Sequence, residues 1–109
     1  MSAITTHVLD IARGRPAVGI GVRLERQGTM LAQGVTDADG RASTLLPADH
    51  KMETGLYRLI FSTDAFFRAA GLESFYPEIV VTFTVRDPRQ THHVPLLLGP
   101  FGYTTYRGS

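Results

Sequence analysis

Val18-Gly19-Ile20-Gly21-Val22-Arg23-Leu24 reads as a strand with one dry face and one wet one. Val18, Ile20, Val22 and Leu24 fall on one side, with Gly19, Gly21, Arg23 and Glu25 on the other. Successive side chains leave a strand on opposite faces, so a period of two marks a half-buried strand. Downstream, Gln27-Gly28 turns the chain into a second run, Thr29 to Thr36. Asp37-Ala38-Asp39-Gly40 then reads as a tight turn, because Asp tolerates turn geometry and Gly supplies positive φ. Arg41 to Leu46 follows as a short strand stopped by Pro47. Upstream, Thr5 to Ile11 is a strand closed by Arg13-Gly14-Arg15-Pro16.

The second half repeats the pattern. Leu56 to Phe61 is rich in strand formers, and Ile79 to Val85 is nearly all β-branched or aromatic. Between them, Asp64 is placed as the N-cap of a short helix from Ala65 to Ala70, which Gly71 stops. Asp87-Pro88 breaks the chain before a last strand, His92 to Leu98. Pro95 inside that run cannot donate to a ladder, so it is expected at a sheet edge or a strand end. Gly99 to Ser109 carries no period. About seven short strands at turn spacings of roughly eight to twelve residues predict an antiparallel β-sandwich with one short helix. An up-and-down barrel has the same periodicity and remains the alternative.

The 109 residues make one domain, residues 1–109, with 43% hydrophobic and 19% charged residues. A chain of this size buries roughly two-thirds of its unfolded surface and needs no staples. It has no Cys, which excludes disulfides, thiolate zinc sites and Cys nucleophiles. A net charge of +1 argues against a nucleic-acid binder. No apolar run approaches the roughly 20 residues that span a bilayer. The start has neither the charged nor the apolar region of a leader, so the cytoplasm is the expected location.

Candidates for chemistry are few. The four His are His7, His50, His92 and His93. Neighbours on a strand face opposite ways, so His92 and His93 cannot serve one site from a regular strand. His93 shares its parity with Pro95 and Leu97, and His7 shares its face with Thr5 and Leu9. His50, beside Lys51, reads as solvated. No His-x-His or His-x-x-x-His pattern suggests a metal, and no Gly-x-Ser-x-Gly elbow suggests a Ser nucleophile. Asp37 and Asp39 read as turn formers. Arg41, first after a tight turn, is placed where a rigid backbone could aim its guanidinium into a cleft. The tail holds Tyr103, Tyr106, Arg107 and the Ser109 carboxylate, an unusual set for a terminus that merely frays.

Thr6-His7-Val8-Leu9-Asp10 followed by Gly14-Arg15-Pro16-Ala17 resembles the opening of the transthyretin superfamily. His93-Val94-Pro95-Leu96-Leu97-Leu98 with the terminal Tyr106-Arg107-Gly108-Ser109 resembles its enzyme branch, the 5-hydroxyisourate hydrolases. Thr36 to Arg41, Phe75-Tyr76-Pro77-Glu78 and Gly102-Tyr103 agree, so the likeness runs from residue 5 to 109. His92, where relatives often carry Tyr, is a variation beside the site.

The resemblance implies a transthyretin-like sandwich of two four-stranded sheets, assembled as a homotetramer with active sites in a channel at the dimer–dimer interface. It implies hydrolysis of 5-hydroxyisourate, a product of urate oxidation, to 2-oxo-4-hydroxy-4-carboxy-5-ureidoimidazoline, without cofactor or metal. By motif position the catalytic set is His7, Arg41 and His93. The substrate-binding set is His7, Arg41, Tyr106, Arg107 and Ser109. The residue types suit the reaction. A neutral imidazole can activate water, and Arg can hold carbonyl oxygens and a developing oxyanion. His7 is favoured as base with His93 as its partner or as the acid, an order the sequence leaves open. The competing reading is a non-catalytic carrier of a small ligand such as a hormone. It would need neither the His/Arg set nor the Tyr-Arg-Gly-Ser terminus.

Overall fold

Ile20, Val22 and Leu24 are fully buried, as their alternation predicts, but Val18 is 52% exposed. The reason is Gly19, which takes a positive φ and turns the chain just before the strand begins at Gly21. Thr36 holds that turn from inside. Its hydroxyl accepts from the Ile20 N–H at 2.9 Å and donates to the Ala17 carbonyl at 2.7 Å.

The computed structural model describes residues 3–109, and the first two residues of the start read for a leader lie outside them. The elements are β1 (Ile4–Asp10), β2 (Arg15–Pro16), β3 (Gly21–Arg26), β4 (Thr29–Val35), β5 (Arg41–Ala42) and β6 (Gly55–Ser62). After them come α1 (Asp64–Ala69), β7 (Glu78–Val85), β8 (His92–Leu98) and β9 (Tyr103–Thr105). One sheet has the order β2-β1-β8-β9, with β5 also paired to β1; the other has the order β4-β3-β6-β7. Each order ends in open edges, so the molecule is a sandwich and not a closed barrel.

Four features depart from expectation. First, β1 and β8 run parallel, from Ile4↔His92 to Asp10↔Leu98, while every other strand pair is antiparallel. The second sheet lies between them in sequence, which is the long crossover a parallel pair requires. Second, the first sheet has five strands because β5 joins it, but only Arg41 and Ala42 of the expected Arg41–Leu46 strand pair. Leu45 and Leu46 are buried nonetheless, in irregular backbone. Third, the helix N-cap is Thr63, whose hydroxyl donates to the Tyr76 carbonyl at 2.7 Å instead of capping. Asp64 instead pairs with Arg68 one turn on, at 3.0 Å. Fourth, Pro95 is the middle residue of β8, an inner strand paired on both sides.

Tyr57, Leu59 and Phe61 of β6, Ile79 and Val81 of β7, and Val8, Leu96 and Leu98 of β1 and β8 fill the space between the sheets. Each such side chain contributes about 1.5–3 kcal/mol through removal from water. Asp10 closes the core at one end: its buried carboxylate accepts from the Ala12 and Arg13 N–H groups and pairs with the Arg13 guanidinium at 3.1 Å. Among the described residues, no helix is long and apolar enough to cross a membrane.

Candidate active site

The outward face of the first sheet is where the polar residues converge. β1 sits between β5 and β8, and its register puts His7 opposite Arg41 on one side and opposite Pro95 on the other. Two residues back, Thr5 lies opposite His93. Paired residues share a face, so Thr5, His7, Arg41, His93 and Pro95 all point away from the core. The residues the resemblance names as catalytic therefore meet on three adjacent strands.

Backbone chemistry aims each one. The Thr5 hydroxyl oxygen lies 2.7 Å from His93 Nδ1, which fixes the ring and leaves Nε2 for other partners. Arg41 leaves the turn in a single direction because Asp37 closes it. The Asp37 carboxylate accepts from the Asp39 and Arg41 N–H groups at 2.9 and 3.0 Å, and its N–H donates to the Arg41 carbonyl at 2.9 Å. Gly40 is obligatory there: its φ is +77°, and a Cβ would strike the Val8 carbonyl. The Gly40 carbonyl in turn accepts from the Val8 N–H at 2.7 Å, locking the turn onto β1. The Arg41 side chain makes no ion pair among the described residues, so its cation is free for a ligand.

Electrostatics follow from this placement. Burial, then the charge of Arg41 and then that of His7, hold the His93 imidazole below its ordinary value of 6.5. The Asp37 carboxyl is lowered by its hydrogen bond from the Arg41 N–H, with further help from the charges of Arg41 and His7. The His93 imidazole is thus held towards its neutral form.

The tail is docked. β9 pairs with the end of β8, and after a gap Gly108 pairs again with His93, its N–H donating to the His93 carbonyl at 2.8 Å. Pro95 explains the gap. The His92 N–H donates to Ala3 on the β1 side, whereas His93 turns its backbone to the tail. Alternate residues turn alike, so Pro95 faces the tail and has no N–H to offer it. Its carbonyl accepts from the Thr105 hydroxyl at 2.7 Å instead. Tyr106 and Arg107, opposite this missing donor, stand off the ladder and are exposed. A Cβ on Gly108 would lie 2.5 Å from His93 Cδ2, so only glycine lets the tail lie this close to the ring. The Arg107 guanidinium donates to Gln90 Oε1 at 3.0 Å. Ser109 is exposed.

His92 points the other way, into the sandwich, and is 5% exposed. His50 follows Pro47 in a loop outside β1, β5 and β8. The sequence reading placed Thr5 on the His7 face but missed its contact with His93, and Gln90 carries no signal, since only the folded loop brings it to Arg107. Among the described residues no group of three His, Asp or Glu converges as a metal would need.

The sequence matches the HIUase/Transthyretin family model over residues 4–108. It is 46% identical to the mouse 5-hydroxyisourate hydrolase, across 99% of this chain and 96% of that one. The fold superposes on the Klebsiella pneumoniae 5-hydroxyisourate hydrolase with a TM-score of 0.87 and 40% identity, over 97% of this chain and 92% of that one. Sea bream transthyretin, solved with thyroxine, superposes at 0.90 with 29% identity, over 98% and 95%. Backbone shape does not separate the hydrolase from the thyroxine-bound transthyretin, whereas identity is higher to the hydrolases. By this match and by the strand order and polar face described above, the chain belongs to the HIUase/Transthyretin family.

Proposed function

We infer that this chain is a 5-hydroxyisourate hydrolase, opening the substrate's ring by water attack on an amide carbonyl to give 2-oxo-4-hydroxy-4-carboxy-5-ureidoimidazoline. The observation that carries this reading is the meeting of His7, Arg41 and His93 on one outward sheet face, with the tail laid against His93. One imidazole, His7 in our reading, takes a proton as water oxygen bonds to the carbonyl carbon. The free Arg41 guanidinium binds the carbonyl oxygen as it becomes an oxyanion. The carbon–nitrogen bond then breaks, the leaving nitrogen takes up a proton from the imidazole pair, and the carbonyl carbon ends as a carboxylate. Tyr106 offers a wall for the flat ring, while Arg107 and Ser109 supply polar contacts at its rim.

On one chain this face is open, and Ile11, Val18, Phe75 and Phe101 leave large apolar surfaces exposed in the segments between strands. Both facts support a homotetramer in which a second sheet closes each site into a channel at the dimer–dimer interface. We read residues 1–109 as one hydrolase domain acting in the cytoplasm on a small molecule. A carrier would use the same face without turnover. The test is stoichiometric. With substrate at about a hundredfold excess over protein, a hydrolase clears it all faster than its spontaneous decay, whereas a carrier removes at most one equivalent per site.

A further inference from the structure

A cavity lies behind the tail. It has a volume of 230 Å³ and sits between β7, from Val81 to Thr84, and the segment Thr105–Arg107 that Pro95 frees from the ladder. His92 lines it. The ring is nine-tenths buried, yet its Nδ1 has no hydrogen-bond partner among the described residues. A buried, unpaired nitrogen is costly unless water or a neighbour meets it. The cavity could hold several waters at roughly 30 Å³ of liquid volume each. Gln90 joins this ring to the tail: its backbone faces His92, and its side-chain oxygen accepts from Arg107.

We propose that His92 is a positioning residue for the tail: with Gln90, and through water at Nδ1, the neutral ring holds Arg107 in place, and protonation of the ring releases it. This rests on the tail's part in the hydrolase reading above. The charges around the ring set the sign. Arg107 on the tail opposes a second cation, and so does burial, whereas Asp87 after β7 and the Gln90 backbone favour one. Burial and Arg107 prevail, and the ring titrates below its ordinary 6.5. Thr82 and Thr84 of β7, and Ala3 and Ile4 on the β1 side, carry no charge, whereas His93 and Tyr106 also line the cavity, the His93 ring being held by the Thr5 hydroxyl. Undocking the tail removes Arg107 and raises the ring's proton affinity, so protonation must favour the undocked tail.

The experiment measures kcat and KM from about pH 5.5 to about pH 8.5, across the range where imidazoles titrate. It uses the intact protein and the variants His92→Asn, His92→Phe and Arg107→Ala, with melting temperature and oligomeric state as folding controls. Asn keeps an acceptor near Nδ1 but does not titrate. The parent protein's KM is expected to rise as pH falls below about 6.5. In His92→Asn, KM is expected to stay near the parent's alkaline value and to rise less steeply in acid. In folded His92→Phe, KM is expected to be raised about tenfold throughout, with kcat within about twofold. Identical KM profiles for the parent and His92→Asn overturn the proposal, as does a parental KM in folded His92→Phe. Arg107→Ala separates the two levels. If it leaves KM unchanged, the tail's place in the site fails and this proposal with it. If it raises KM while both His92 variants are silent, only the proposal fails.

Discussion

At the scale of single residues, Arg41 is asked to do two separable things: present a planar fork to the substrate and set a charge beside His93. Arg41→Lys keeps the charge and loses the fork. We expect kcat/KM to fall at least about tenfold, about 1.4 kcal/mol of barrier, with melting temperature unchanged and the acid limb of the pH profile in place. Arg41→Gln removes the charge as well. Since that charge lowers the His93 value, its loss raises it, and the acid limb is expected to move to higher pH. The same shift has a stability consequence. A His whose folded value is depressed contributes stability present above about 6.5 and lost as pH falls from there towards the folded value. Denaturant midpoints of the parent should therefore decline in that window, and less so in His93→Gln. The parity of His7 and His93 was legible in the sequence because a strand's period is fixed. The Thr5 contact with His93 was not, because it depends on which strand lies alongside β1 and in which direction.

At the scale of elements, β1, β4, β6, β7 and β8 emerged within a residue or two of the runs read from the sequence, whereas β3 begins three residues after its alternation does. The misses have local causes. Val18 left the core because Gly19 turns the chain, and the expected strand after Arg41 shortened because Leu45 and Leu46 find burial without ladder bonds. β9 and the parallel β1–β8 pair are contacts between the ends of the chain, which no local period encodes. Pro95 was the opposite case, a true signal with a different outcome: it interrupts the ladder without moving to an edge. The tail prediction belongs here. Deleting Tyr106 to Ser109 removes the Gly108–His93 bond but leaves β9 intact, so the stability cost should be about 1 kcal/mol. Hydrolysis should nevertheless be nearly abolished, because misplacement by about 1 Å can cost roughly a hundredfold in rate. A folded deletion variant with full activity would remove the tail from the site. A tag appended to Ser109 should impair activity more than one at the other end.

At the scale of the whole molecule, one sandwich presents its polar face to open solvent, and a reaction that needs water controlled and an oxyanion shielded needs that face covered. We therefore expect light scattering to give a tetramer at micromolar concentration; a stable, active monomer would contradict the assembly. The central claim is that the outward face of the first sheet is a hydrolytic centre. The most direct test is kcat/KM for freshly generated 5-hydroxyisourate, followed by ultraviolet absorbance against spontaneous decay, in the parent and in folded His7→Ala. Rapid turnover is expected of the parent, with a loss of at least about a hundredfold in the variant. Decay at the spontaneous rate in both, or equal turnover by both, would contradict that claim.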